Sequence, residues 1–227
     1  MTALRMSLLT LCALLAPAAF AADSPEPALV LHFDEGAGPL AQDASGGGHD
    51  GRIQGATWID GHAGKALHFD GKSRVDLGRP EDLEFGKQQD FSIELWLRVQ
   101  PDTKPEFYFI LTNRLRLEDT PGYTIFLDKG FQVNVAVGDK VNWIDLLTAR
   151  QPLNDGQWHQ VALTCERRGM ASLYLDGKLH KQSSMVEIVT VSNGELPLLI
   201  GSRGYASDFI GDMDEVTIWR GIHSPAN

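Results

Sequence analysis

Cysteine is nearly absent from this chain, basic charge is in deficit, and no apolar run is long enough to cross a bilayer. Two cysteines in 227 residues leave no room for a disulfide framework. Lys and Arg number 20 against 30 Asp and Glu, a formal net charge of -10, which argues against a nucleic-acid or anionic-membrane partner. Disorder is excluded as well. The hydrophobic fraction is 43% and the charged fraction 22%, the balance of a chain that buries a core.

Residues Met1 to Ala21 read as a cleaved export signal. One positive charge, Arg5, precedes an apolar stretch from Leu8 to Leu15, then Pro17 and the small-x-small site Ala19-Phe20-Ala21. That stretch is well short of the ~20 residues of a spanning helix. Cys12 lies inside it after Leu11, a poor match to a lipoprotein site. Cleavage after Ala21 leaves 19 basic against 30 acidic residues, a net charge of -11, and a single cysteine, Cys165. The expectation is a secreted or periplasmic protein without internal disulfides. Cys165 alternates with Val161 and Leu163, which predicts a buried, inert thiol. Residues 22–27 read as a Pro-rich linker and 28–227 as one domain.

That domain shows period-two alternation and no sustained helical period. Phe91, Ile93, Leu95, Leu97 and Val99 alternate with Ser92, Glu94, Trp96 and Arg98; Phe131, Val133, Val135 and Val137 alternate with Gln132, Asn134 and Ala136. Asp176-Gly177 and Asp70-Gly71 sit between alternating runs and predict hairpin turns. About a dozen strands of the usual ~5–6 residues exceed one flat sheet, so the expected fold is all-β, a two-sheet antiparallel β-sandwich. Residues 79–86 have room for one short helical turn.

Six blocks carry a family resemblance. Ala28-Leu-Val-Leu-His-Phe-Asp-Glu-Gly36, Asp43-Ala-Ser-Gly-Gly-Gly-His-Asp-Gly51, Gly64-Lys-Ala-Leu-His-Phe-Asp-Gly71, Phe91-Ser-Ile-Glu-Leu-Trp-Leu97, Asp155-Gly-Gln-Trp-His-Gln-Val-Ala-Leu-Thr164 with Leu173-Tyr-Leu-Asp-Gly177, and Phe209-Ile-Gly-Asp-Met-Asp-Glu-Val-Thr-Ile-Trp219 follow one another in order. Together they resemble bacterial laminin G-like domains of the concanavalin A-like lectin/glucanase superfamily. The resemblance covers residues 28–220. It implies a jelly roll whose first and last strands lie close together, and a pattern that continues past the closing strand into a short polar segment; the sequence stops soon after, at Ser224-Pro225-Ala226-Asn227, and reads as a fragment of a longer exported protein. It implies little about function, because that fold carries lectins, adhesion modules, glycosidases and spacers.

Three candidate sites follow. The resemblance implies a structural Ca²⁺ where the N-terminal loop meets the closing strand, with Asp43 and Asp214 as first ligands and Asp34 and Glu215 as further ones. Asp214 shares parity with Val216 and Ile218, which predicts an inward carboxylate in need of a partner. The competing reading has Asp43 in an Asx turn and Asp214 accepting backbone N–H groups. A glycan surface would draw on Trp143, Tyr205, Arg114, Arg116 and Arg203, aromatic platforms and planar donors in loops, while Trp158 and Trp219 match framework positions. Glycoside hydrolysis would need paired carboxylates. Asp212 and Asp214 share parity and Glu94 stands beside Trp96, but the flanking Glu residues of the glucanase pattern are missing. The seven histidines are scattered, with no HExxH. The expected function is therefore a non-catalytic recognition module for carbohydrate or a protein partner; a glycosidase or its accessory domain, or a structural spacer, are the alternatives.

Overall fold

The structure is a computed structural model that describes residues 25–225 apart from 87, 105, 115–119, 149–150, 193 and 206–207. The export signal and Arg116 lie outside the described residues. Among the described residues sixteen strands form two antiparallel sheets, as the alternation predicts.

The first sheet contains β1 (Pro27–Leu31), β4 (Thr57–Asp60), β5 (Lys65–Asp70), β7 (Phe91–Arg98), β12 (Trp158–Cys165), β13 (Met170–Leu175), β14 (Lys178–Ser184) and β16 (Ile210–Arg220). Its order is β14-β13-β12-β7-β16-β5-β4. The eleven-residue β16 is the organising strand: β7 runs along one side, while β5 and β1 share the other, β5 on Ile210–Met213 and β1 on Val216–Trp219. The first strand thus pairs with the last and covers the part of its side that β5 leaves open.

The second sheet contains β2 (Leu40–Ala41), β3 (Gly51–Gln54), β6 (Arg74–Asp76), β8 (Tyr108–Thr112), β9 (Gly122–Leu127), β10 (Val133–Gly138), β11 (Trp143–Leu147) and β15 (Leu199–Ile200), in the order β11-β10-β9-β8-β15-β6-β3-β2. Between the sheets lies one core. Ile93, Leu95 and Leu97 of β7, Val161 and Leu163 of β12, and Tyr123, Ile125, Val133 and Val135 of the second sheet are all fully buried. Phe85 stacks on Phe91 with ring centroids 4.3 Å apart. Cys165 is buried here too, and burial pushes its thiol far up, so it stays protonated.

Two turn expectations separate cleanly. Asp176 and Gly177 both take positive φ, 49° and 72°, and close the two-residue β13–β14 hairpin. Asp70-Gly71 does not make a hairpin. Gly71 alone has positive φ, Lys72 N–H donates to the Asp70 carboxylate, and the chain leaves β5 in one sheet to enter β6 in the other. Between β6 and β7 the 3₁₀ turn Glu81–Leu83 falls within the expected 79–86 segment. Strands β2, β6 and β15 span only two or three residues, too short for any periodicity to reveal, which is why sixteen appear where about a dozen were expected.

The inward placement of Asp214 is corrected. Glu215 has φ 49° and forms a bulge in which the register against β7 jumps from Asp214↔Trp96 to Thr217↔Glu94. One extra residue reverses the parity. Asp214 therefore lies on the outer face beside Trp96, while Val216 and Ile218 point into the core. It is still fully buried, because the β4–β5 turn folds over it.

Candidate functional site

The acidic residues form two loop clasps. At the first, Asp43 Oδ1 accepts N–H groups from Val30 and Ser45 and Oδ2 accepts that of His49, closing the Gly46–Gly48 loop against β1. Burial raises the Asp43 carboxyl, but these donors outweigh it and hold the group below its ordinary value. At the second, Asp214 Oδ2 accepts from His62 (2.8 Å) and Ala63 (3.0 Å), and Oδ1 from Glu215 (2.9 Å). Burial dominates there and raises the carboxyl. Asp34 joins the second clasp by accepting Lys65 N–H at 2.7 Å. Glu215 pairs with His32 at 2.7 Å. Gly61 has to be glycine in this arrangement: a Cβ would sit 2.5 Å from Asp214 Oδ2.

These placements do not suit calcium, which takes six to eight oxygens. Asp34 and Asp214 are drawn to the β4–β5 turn, whereas Glu215 turns to His32 and Asp43 serves a different loop. Three acceptor positions on each of Asp43 and Asp214 are taken by backbone N–H groups. Among the described residues no group of three or more His, Cys, Asp or Glu is placed to hold a metal ion.

The carboxylates weighed for hydrolysis are likewise engaged. Asp212, only 6% exposed at its side chain, is bridged by Arg98 Nε at 2.8 Å and His68 Nδ1 at 2.7 Å. Glu94 accepts from Gln160. Around them the outer face of the first sheet carries His62 stacked on Trp96 at 3.6 Å and Arg98 over Trp158 at 4.7 Å. Trp219 lies on the same face and stacks on His223.

The glycan candidates fall on the second sheet. Phe109 of β8 pairs with Phe126 of β9, and with Ala136 of β10 they form a small apolar cluster on the sheet's outer face, separate from the main core. The loop after β15 returns over this cluster, bridging Asp208 to Phe109. It places the Arg203 guanidinium 4.4 Å from the Phe109 ring and 4.5 Å from the Tyr205 ring. Arg114, Arg203 and Tyr205 then line one hollow of about 210 Å³ with Thr112, Leu196, Pro197, Leu199 and Gly204. Arg114 is buried and donates from Nε to Thr120 O at 2.6 Å.

Two more hollows follow in series. Leu196 also borders a hollow of about 710 Å³ beside Asp139, Lys140, Val141 and Asn142, and the last two residues border a third of about 540 Å³ lined by Trp143. The three hollows share lining residues in series, and this series is the trough; the exposed aromatic rings Tyr205 and Trp143 border its first and third members. Its wall is pinned by Asp139, which accepts N–H groups from Val141, Asn142 and Val189 and is held below its ordinary value by them against the opposing effect of burial. Asp145 shares the outer face with Trp143 on β11. Desolvation raises its carboxyl above the ordinary value, an effect the Arg114 guanidinium only partly offsets.

All four described glycan candidates thus border the trough, and three share one hollow. Phe109, Phe126 and Asp145 were not singled out in the sequence. The available signal was that Gly122–Leu127 carries apolar or small residues at both parities, and this strand is indeed buried on both faces.

The chain resembles several solved binding domains. One is the binding domain of Paraclostridial Mosquitocidal Protein 1 (19% identity, TM-score 0.72, covering 88% of this chain and 50% of that one). A second is domain 4 of AbnA, a GH43 extracellular arabinanase from Geobacillus stearothermophilus, in complex with arabinotriose (19%, 0.67, 88% and 94%). A third is the botulinum neurotoxin serotype D ligand-binding domain in complex with N-acetylneuraminic acid (14%, 0.64, 88% and 48%). This chain spans about half the length of the two toxin domains, and at these identities the likeness is one of fold. A comparison with curated proteins finds no match. Residues 69–227 match the Laminin_G_3 family, and the chain therefore belongs to the concanavalin A-like lectin/glucanases superfamily.

Proposed function

We propose that the protein is an exported, non-catalytic carbohydrate-binding module whose ligand lies in the trough along the β10–β11 turn end of the second sheet. The observation that carries this reading is the convergence of Arg114, Arg203 and Tyr205 in one hollow that continues toward Trp143. An oligosaccharide needs flat aromatic surfaces for its C–H faces and fixed planar donors for its hydroxyls, distributed along a groove. The trough supplies both. Solved relatives in complex with arabinotriose and N-acetylneuraminic acid support a glycan as the ligand class. Export rests on the N-terminal segment 1–21 and fits a domain stabilised by core packing with no disulfide. A non-catalytic role is supported by the engagement of Asp212 and Asp214 with structural partners.

A glycan array probed with residues 22–227 tests the reading. Binding should appear and be lost in the Tyr205→Ala and Trp143→Ala double variant. Binding that survives in the double variant would move the ligand elsewhere.

A further inference from the structure

Arg203 is an unusual arginine for so acidic a chain. Two aromatic rings pack against its guanidinium, Phe109 at 4.4 Å and Tyr205 at 4.5 Å. It forms no ion pair and no side-chain hydrogen bond among the described residues, although the net charge is -10. Its Nε is buried without an acceptor. A cation with one donor orphaned in this way is poorly satisfied as a structural element. Contact with two rings does something else: it holds the guanidinium in place, and its in-plane N–H groups donate at the edge. The neighbouring Arg114 has Asp145 acting on it, which leaves Arg203 as the uncompensated charge of the hollow.

We propose that this hollow selects a glycan bearing an oxyanion, a uronic-acid carboxylate or a sulfate ester, which meets the edge of the Arg203 guanidinium. The inference rests on the carbohydrate-binding reading and adds the ligand's charge class to it. A planar fork held by two aromatic contacts suits the flat, two-point geometry of an oxyanion. Tyr205 is 57% exposed, so the hollow is reached from its side. The chain's overall negative charge does not forbid such a ligand. Exposed charges are screened beyond ~8 Å at physiological ionic strength, so the local cation governs recognition at contact.

The test uses unmodified protein first. Isothermal titration compares oligogalacturonides as free acids, the same oligomers fully methyl-esterified, a sulfated galactan oligosaccharide and neutral arabino-oligosaccharides. At least one oxyanion ligand should bind tenfold or more tightly than its esterified or neutral counterpart, and the advantage should shrink as salt rises. A stronger response from the uronate or from the sulfated arm identifies the source of the oxyanion. Arg203→Lys keeps the charge but loses the planar fork and should lower the acid-to-neutral ratio several-fold, whereas Arg203→Gln, which removes the charge, should bring it close to one. Equal binding of free and esterified oligomers would overturn the inference while leaving the carbohydrate reading in place. Absence of binding to all four ligands would overturn both.

Discussion

Asp214 Oδ2 accepts the backbone N–H of His62 at 2.8 Å across 152 positions of the chain. The contact ties the closing strand to the β4–β5 turn and sets the His62 ring on Trp96. Asp214→Ala leaves the N–H groups of His62, Ala63 and Glu215 without their acceptor, and the expected loss is roughly 2–4 kcal/mol. For a domain of this size that is a fall in Tm of about 5–15 °C. Tryptophan emission should shift to the red as Trp96 loses its cover. An unchanged Tm together with unchanged emission would show that the turn is held by other contacts.

The calcium question can be answered by the same measurement. Because the Asp43 and Asp214 carboxylates are already occupied by backbone donors, melts in millimolar Ca²⁺ and in excess chelator should superimpose. A chelator-induced fall of several degrees would mean that a cation displaces some of these N–H groups.

The two clasps show which part of the site could be read without coordinates. Asp43 behaves as its local sequence suggests, since an Asp two residues before Ser45 and ahead of three glycines closes an Asx turn within its own loop. Asp214 could not be placed by parity, because a bulge at Glu215 depends on pairing with β7, a partner some 120 positions away. The Asp70-Gly71 turn failed for a related reason: the dipeptide permits a hairpin but does not say whether the next strand joins the same sheet. The glycan candidates could be named individually from residue type. Their meeting in one trough came from the fold of the loop after β15 over Phe109, which no local pattern encodes.

Stability should fall in acid through the carboxylates held low by backbone donors. Asp43 and Asp139 both lie below their ordinary value in the folded chain. Their contribution is therefore fully present above the unfolded carboxylate value of about 3.9 and is lost as pH falls through their lower folded values. Asp214, raised by burial, acts in the opposite sense: its charge is less favoured in the folded state, and its contribution declines as pH rises from about 3.9 through its raised folded value. Urea melts from pH 7 down to pH 2.5 should show the steepest loss below about pH 4. Asp43→Asn and Asp139→Asn should start less stable and lose less over that interval. Parallel curves for wild type and both variants would remove these residues as the source.

The trough also predicts a dependence on ligand length. Tyr205 sits in the hollow with Arg203, whereas Trp143 borders a different hollow and is reached only across the one between them. A short oligosaccharide anchored at Arg203 contacts Tyr205 alone. Tyr205→Ala should then weaken both short and long ligands by about tenfold, the ~1.4 kcal/mol scale of one lost aromatic contact. Trp143→Ala should leave di- and trisaccharides unaffected and weaken only oligomers long enough to cross the central hollow. Titration of each variant with a length series of one oligosaccharide separates the two. Equal sensitivity to both substitutions at every length would mean that the three hollows do not act as one groove, and that Trp143 contributes to folding or to a second, separate contact.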